Sequence, residues 1–453
     1  MEIEKIKLNK TKSILQFGIP ATIGMLMTSL ITIVDGYFAG NYIGSKALVA
    51  INLGLPLLYF YLAVGLMIGV GGSVISGIAI GSGNRSRANN TFSQSMFLVL
   101  CVGIAISLAA FFLFNPMLRL LKAHGEVAVL FKQYYSVFLF SAPLMIIDSC
   151  YGMFLRADGE PQVYMGVNAL SILLNALLDF LFTAKLGFGI RGLIFASLIS
   201  LSISVTINTL YFLFRQSKNP DQILLNFCKF KFDTDTVKQT FFNGSSECIG
   251  ELAGCISMFC YNFVLLKYVG ENGVASFTIL GYSIFIFNMI AIGLCEGMSP
   301  LVSFCFGAKE KNLCIDLRKI TNRIVFGVGV VFAVTLFCGG RLYCSFFVKD
   351  LEIINMVSRG FKIFALEFLL QGFNVAGSMY FTSISCPKQS AVIAFLRGIF
   401  ILLITIFVFP SIWGMDGIWL TSPVTEVITL AATVIFCIKS DNLMKKNCRG
   451  CKK

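Results

Sequence analysis

The chain has 453 residues, 57% hydrophobic and 13% charged, with a formal net charge of +13 and a mean hydropathy of +0.82. Soluble domains carry about 25% charged residues, so half that share excludes an ordinary water-soluble enzyme or regulator. The basic residues cluster between apolar runs, at Lys5 to Lys12, Arg215 to Lys238 and Lys439 to Lys453. That placement excludes a nucleic-acid surface and fits the basic loops of a membrane protein.

Apolar runs bounded by charges, Gly and Pro predict twelve membrane helices, each needing about 20 residues to cross a bilayer. The first, 14–39, is too long for a signal-peptide core and lacks an A-x-A cleavage site. It holds Pro20, which removes a backbone donor and permits a hinge, and Asp35. Spans 46–72, 92–114 and 132–155 follow, the last with Asp148. Span 163–185 carries Asn175 and Asp179, one turn apart and on one face. A carboxylate beside an amide oxygen suits a small cation or a proton. Span 192–214 closes the first half, and 216–237 reads as a polar linker.

Span 238–267 opens the second half with Glu247 and Glu251. Two carboxylates one turn apart in an apolar wall do not both stay ionised, which makes one a proton carrier. The alternative is an acid capping the helix N-terminus, where the dipole favours an anion. Spans 274–303, 324–340, 357–382, 389–410 and 417–438 complete the set. They contribute Glu296, Glu367, Arg397 and Glu426, and 439–453 is a basic tail. Within the spans stand eight acids (Asp35, Asp148, Asp179, Glu247, Glu251, Glu296, Glu367 and Glu426) against one base, Arg397. A charge in hydrocarbon costs about 2.5–3.5 kcal/mol, so the surplus acids must bind protons or cations or face a wet cavity. The pattern points to cation handling.

With the N-terminus inside, 24 Lys and Arg fall in inner segments and 11 in outer ones, which predicts two cytoplasmic termini. The halves repeat at an offset of 226: Tyr42-Ile43-Gly44 with Tyr268-Val269-Gly270, Gly71, Ser73 and Gly81 with Gly297, Ser299 and Gly307, and Met153 and Pro161 with Met379 and Pro387. Six helices per half keep the same orientation, so the repeats are parallel, about an axis along the membrane normal. The expected fold is an all-α polytopic membrane protein: a six-helix lobe at 1–215, the linker, a second lobe at 238–438 and the tail.

Several features carry no chemistry. Gly187-Phe188-Gly189-Ile190-Arg191-Gly192 matches G-x-G-x-x-G but follows no strand. Cys448 and Cys451 have metal-ligand spacing but no second pair, and most of the 15 cysteines sit in apolar runs as small hydrophobes. His124 is the lone histidine, which leaves little for a two-His metal site or a nucleophile–base pair. There is no P-loop, so energy should come from an ion gradient. No cofactor, metal or enzymatic activity is expected.

Pro20, Asp35-Gly36 and Gly40 to Gly44 are followed by Gly71 to Gly81, Arg85 to Ala88, Arg156-Ala157-Asp158-Gly159-Glu160-Pro161 and Asn175-Ala176-Leu177-Leu178-Asp179. The second half adds Gly297 to Pro300, Gly307-Ala308-Lys309, Asn374, Arg397-Gly398 and Gly414 to Trp419 with Glu426. Over essentially its whole length the chain resembles a bacterial member of the multidrug and toxic compound extrusion (MATE) family. The resemblance implies a V-shaped pair of six-helix lobes in the bacterial inner membrane. It further implies a monomer exporting cationic or amphiphilic small molecules in exchange for H⁺ or Na⁺. It carries a cation site onto Asp35, Asn175 and Asp179, and an acid of helix 7 onto Glu247 or Glu251. Glu296 and Glu160 stand where relatives often have Gln and Asn, and Asp148 and Glu367 are additional acids, with Glu296 and Glu367 candidates for substrate or proton binding. A lipid-linked saccharide flippase of the same superfamily is the alternative; it would need cationic cavity residues for pyrophosphate, and Arg397 alone is at hand.

Overall fold

A computed structural model describes residues 2–120, 124–215 and 224–449. The predicted linker and tail lie partly outside these residues (216–223 and 450–453), as does Cys451. The described elements are helices throughout: α1 (Ile3–Leu8), α2 (Lys10–Phe38), α3 (Ser45–Leu53), α4 (Leu55–Gly81), α5 (Arg85–Phe112), α6 (Phe114–Leu120), α7 (Gly125–Ala157), α8 (Pro161–Asp179), α9 (Ile190–Phe214), α10 (Thr234–Asn243), α11 (Ser245–Tyr268), α12 (Glu271–Gly307), α13 (Lys311–Ser345), α14 (Leu351–Ser383), α15 (Pro387–Phe395) and α16 (Ile401–Arg449). Three π-helical stretches interrupt them, π1 (Ala39–Ile43), π2 (Phe180–Lys185) and π3 (Leu396–Phe400).

Ten helices are long and apolar enough to cross a membrane by length and composition. Two features raise the number of crossings among the described residues to twelve. Pro387–Met444 is one continuous run, but Gly414 breaks it with φ 56 and ψ −130, a conformation that glycine adopts readily. Leu351–Ser383 has the length of a span yet falls short on hydropathy because it buries Glu367, Gln371 and Asn374. The chain is therefore a multi-pass, all-α membrane protein of two six-helix halves.

The compact units are not contiguous in sequence. One comprises residues 23–248, the other 2–22 and 249–453. The leading segments of spans 1 and 7 are thus exchanged, and glycines explain the exchange. A Cβ on Gly71 of α4 would lie 2.0 Å from the Thr240 carbonyl oxygen, and one on Gly244 would lie 1.9 Å from the Met67 carbonyl oxygen. In the other unit, a Cβ on Gly297 of α12 would lie 2.4 Å from Gly18 Cα, and one on Gly293 2.4 Å from Thr22 Cα. Gly18 and Gly244 are themselves 226 residues apart, like Gly71 and Gly297. Bare backbone lets helices approach where lipid offers no hydrophobic drive to hold them together. The sequence span 238–267 is corrected accordingly: α10 ends at Asn243 and α11 starts at Ser245, with Gly244 pressed on α4 between them.

Residues 224–233, inside the predicted linker, form no helix but lie fastened along α5. The N–H groups of Asn226, Cys228 and Lys231 donate to Asn89 Oδ1 (3.1 Å), Ser93 Oγ (3.0 Å) and Asn90 Oδ1 (3.0 Å). Gln94 Nε2 donates to the Asp233 carbonyl at 2.9 Å. Phe227 packs on Phe92, ring centroids 4.8 Å apart, and Phe92 in turn on Phe154 and Phe212. Beside this strap, Arg215 pairs with Asp158 and, at 3.1 Å, with Glu160.

Candidate functional site

The predicted site residues Asp35, Asn175 and Asp179 come from two helices, α2 and α8. Asp35 lies in the last turn of α2, four residues before π1 begins, and Asp179 is the last residue of α8, directly before π2. A π turn widens the helix and leaves its carbonyls out of α register, a feature frequent at functional sites. Thr183 within π2 turns its hydroxyl back to the Asp179 carbonyl oxygen. Asp35 is half-buried, and Asn175 and Asp179 are fully buried.

The three side chains converge. With its amide nitrogen toward α2, Asn175 donates to Asp35 Oδ1 at 3.3 Å while its oxygen accepts from the hydroxyl and N–H of Ser197, each at 3.3 Å. That amide orientation follows from matching donors to acceptors. The Asp35 and Asp179 carboxyls lie within hydrogen-bonding reach of each other, and neither Asp179 oxygen meets a hydrogen-bond donor. Tyr134 of α7 sits close enough to feel both charges. No Lys or Arg enters the group among the described residues. Two carboxyls this close without a counter-cation, one buried and one half-buried, hold a proton between them or clasp a small cation with oxygen ligands.

Asp148 of α7 forms a second centre in this unit. Its Oδ1 accepts from Ser204 Oγ (2.6 Å) and Asn208 Nδ2 (3.3 Å) of α9, and its Oδ2 from Tyr164 OH (3.3 Å) of α8. The Tyr164 ring fills the space left by Gly152, where a Cβ would come within 2.6 Å of it.

The acids of the second half stand on four helices, α11, α12, α14 and α16. Glu247 stands in the first turn of α11, in the unit of residues 23–248, whereas Glu251 falls in the other unit. Glu251 lies near Glu296, which is buried. Glu367 is buried near Glu426, with the Ser422 hydroxyl on it. Arg397, inside π3, donates from Nε to Glu426 Oε1 at 2.5 Å. Asn374 donates to Glu426 Oε2 at 2.7 Å and accepts from Thr433 at 2.8 Å. Pro20 is internal to α2, two residues before the boundary between the units.

Sequence reasoning missed Tyr134, Ser197 and the donors around Asp148. One signal could have found the last group: Ser197, Ser200, Ser204 and Asn208 recur at helical spacing in an otherwise apolar span. Tyr134 carried no such signal, because an aromatic residue in a membrane span is ordinary.

Among the described residues, no cluster of three or more His, Cys, Asp or Glu could hold a metal ion. The multidrug export protein MepA of Staphylococcus aureus strain MRSA252 is 25% identical over 436 residues, covering 95% of this chain and 94% of its own length. MepA of Staphylococcus saprophyticus is 24% identical over the same shares. Among solved structures, an outward-facing multidrug resistance MATE family transporter of the MOP superfamily superposes with a TM-score of 0.89 at 22% identity, over 96% of this chain and 97% of that one. A MOP superfamily transporter from Pyrococcus furiosus, described as having a binding pocket of reversed polarity, superposes at 0.88 and 20% identity over 96% of each chain. These two likenesses establish the fold. The MatE family model matches residues 20–181 and 248–408, the greater part of both halves, and the chain is accordingly a member of the MatE family: a membrane transporter, not an enzyme.

Proposed function

We propose that the protein exports chemically varied cationic or amphiphilic small molecules by alternating access, in exchange for H⁺ or Na⁺ bound at Asp35, Asn175 and Asp179. The observation that carries this reading is the Asp35–Asp179 pair, with no Lys or Arg beside it among the described residues and an Asp179 carboxyl that meets no donor. Such a pair gains an ion whenever one is available, so its occupancy follows an ion gradient. The multidrug export named for the Staphylococcus relatives supports the cargo class. The balance of 24 inner to 11 outer basic residues supports a cell membrane with both termini cytoplasmic, and the chain acts as a monomer of two six-helix lobes. Pro20 serves as a hinge in α2, and Glu251 with Glu296, and Glu367 beside Glu426, line the second lobe's share of the substrate or proton path. The flippase reading gains nothing: Arg397, the base it would use for pyrophosphate, is engaged by Glu426.

Proteoliposomes carrying the protein and an ethidium load, under separate Na⁺ and H⁺ gradients, test the proposal. Export should follow one or both gradients and vanish in Asp35→Asn with the protein still folded. Ethidium export by Asp35→Asn at the wild-type rate would rule the coupling role out.

A further inference from the structure

Helix α8 presents one polar edge along its length: Tyr164, Asn168, Ser171, Asn175 and Asp179. Steps of three and four residues keep all five on one face of a helix. Helix α9 answers with Ser197, Ser200, Ser204 and Asn208, spaced the same way. The two edges are joined by contacts. Asn175 meets Ser197 at 3.3 Å, Ser171 Oγ donates to the Ser200 carbonyl oxygen at 3.2 Å, and Tyr164, Ser204 and Asn208 converge on Asp148. Asn168 donates to Thr28 Oγ1 at 3.3 Å.

Asn168, Ser171, Asn175, Ser200, Ser204 and Asn208 are all buried. Ser and Asn side chains join helices in lipid by hydrogen bonds, whereas an ionisable group among them, here Asp148, marks an ion pathway. One further atom points to a ligand. Asn208 is fully buried, and its Oδ1 has no hydrogen-bond donor, although its amide nitrogen is already committed to Asp148. An orphaned amide oxygen next to a carboxylate offers hard oxygen ligands to a small cation.

We propose that the α8–α9 seam is an ion path through the first unit and that Asp148, with Asn208, Ser204 and Tyr164, is its second ion-binding station. The coupling ion, a small monovalent cation, passes from the Asp35–Asp179 pair to Asp148 and then to the cytoplasm. From Asp179 to Tyr164 the edge runs about 22 Å at 1.5 Å per residue, most of a membrane leaflet pair. The step conserves charge: the pair gives up one positive ion and becomes one unit more negative, while the Asp148 carboxylate takes that ion and becomes neutral. The groups facing Asp148 permit this. Tyr164 on α8 and Tyr151 on its own helix are the titratable neighbours, and Arg156 stacks over the Tyr164 ring at 5.9 Å. Helix α9 offers uncharged Ser204 and Asn208, and α4 and α5 meet this stretch of α7 with Gly65, Gly69 and Gly103. The inference rests on the reading of Asp35 and Asp179 as the coupling site.

The test uses the full chain in proteoliposomes, with ethidium as cargo, pyranine inside to read protons and ²²Na⁺ to read sodium. Asp148→Asn should slow ethidium-driven ion exchange about tenfold or more while equilibrium ethidium binding stays within about twofold. The pyranine arm responds if the ion is H⁺ and the ²²Na⁺ arm if it is Na⁺. Tyr164→Phe keeps the carboxyl and should shift the pH of half-maximal exchange; it stands in for Asp148→Asn if the latter does not fold. Exchange at the wild-type rate with a wild-type pH profile overturns the seam as a path, as does lowered thermal stability with an unchanged rate per folded transporter. Asp35→Asn run beside them separates the two ideas. If Asp35→Asn is inactive while Asp148→Asn is normal, the path falls and the coupling site stands; if Asp35→Asn exchanges normally, the coupling site falls.

Discussion

Each half of the chain buries acids on helices that follow its fourth crossing, but the halves settle those charges differently. In the first unit Asp35 and Asp179 face each other with an amide and, among the described residues, no base. In the second, Glu426 is held by the Arg397 guanidinium and the Asn374 amide. The carboxyl–amide bridges are even inverted. Asp148 on the fourth crossing accepts from Asn208 on the sixth, whereas Asn374, 226 residues after Asp148, donates to Glu426 on the last crossing. A carboxylate already neutralised by an arginine is a structural fixture. One without a partner is a site that must acquire its counter-charge from outside, and only that kind can sense a gradient.

The sharpest way to break this comparison is to neutralise both sides. Asp179→Asn should lower gradient-driven ethidium export about a hundredfold, close to vector background in cells exposed to the dye. Equal export would erase the distinction between the halves. In the second unit, Arg397→Met should destabilise the fold by about 3 kcal/mol, because it strands Glu426 beside Glu367 in a buried setting. Adding Glu426→Gln should restore most of that loss, and a double-mutant cycle on thermal unfolding in detergent measures the coupling. A cycle with no coupling would make Arg397 more than a fixture.

Packing gives a gentler comparison. Gly71→Ala and Gly297→Ala place a methyl group against Thr240 and Gly18 backbone, and each should cost about 1–3 kcal/mol by overpacking. Similar losses in melting experiments would show that the two exchanged segments are energetically equivalent; a one-sided loss would rank them. The smallest effect belongs to Asp233, which caps α10. The Thr236 hydroxyl and the Asp235 N–H hold its carboxyl below the ordinary carboxylate value. Its contribution is therefore present above that ordinary value and is lost as pH falls through the lower folded one. Asp233→Asn, itself a good N-cap, should leave the melting temperature at neutral pH nearly unchanged and remove this acid-side decline, as melting curves across pH would record.

Much of this architecture was legible in the residues. Long apolar runs are a strong signal, and the 226-residue offset is anchored by Gly71 and Gly297 because only glycine tolerates the backbone contacts at both places. Asn175 and Asp179 could be paired from helical spacing alone. Glu247 and Glu251 share one face of α11 by the same spacing, although the boundary between the units falls between Cys248 and Ile249. The strap at 224–233 escaped notice for a different reason. Its order comes from Asn89, Asn90, Ser93 and Gln94, polar residues of a distant helix that bind its backbone, and a backbone leaves no mark in a sequence. Glu426 and Arg397 were visible as acid and base, but their pairing spans 29 residues and a kink at Gly414, which periodicity does not bridge.

The π-helical stretches carry a consequence for how this protein tolerates changes of length. A π turn holds one residue more than an α turn, so removing a single residue from Phe180–Lys185 allows the helix to close into regular α register. The helix beyond the deletion keeps nearly its former direction, because the turn that closes gives up only its extra residue. Insertions and deletions are usually confined to loops, yet here a one-residue deletion inside a membrane helix leaves a well-formed helix behind. What it destroys is the widened turn itself: the carbonyls that stood out of α register just after Asp179 close back into the helix.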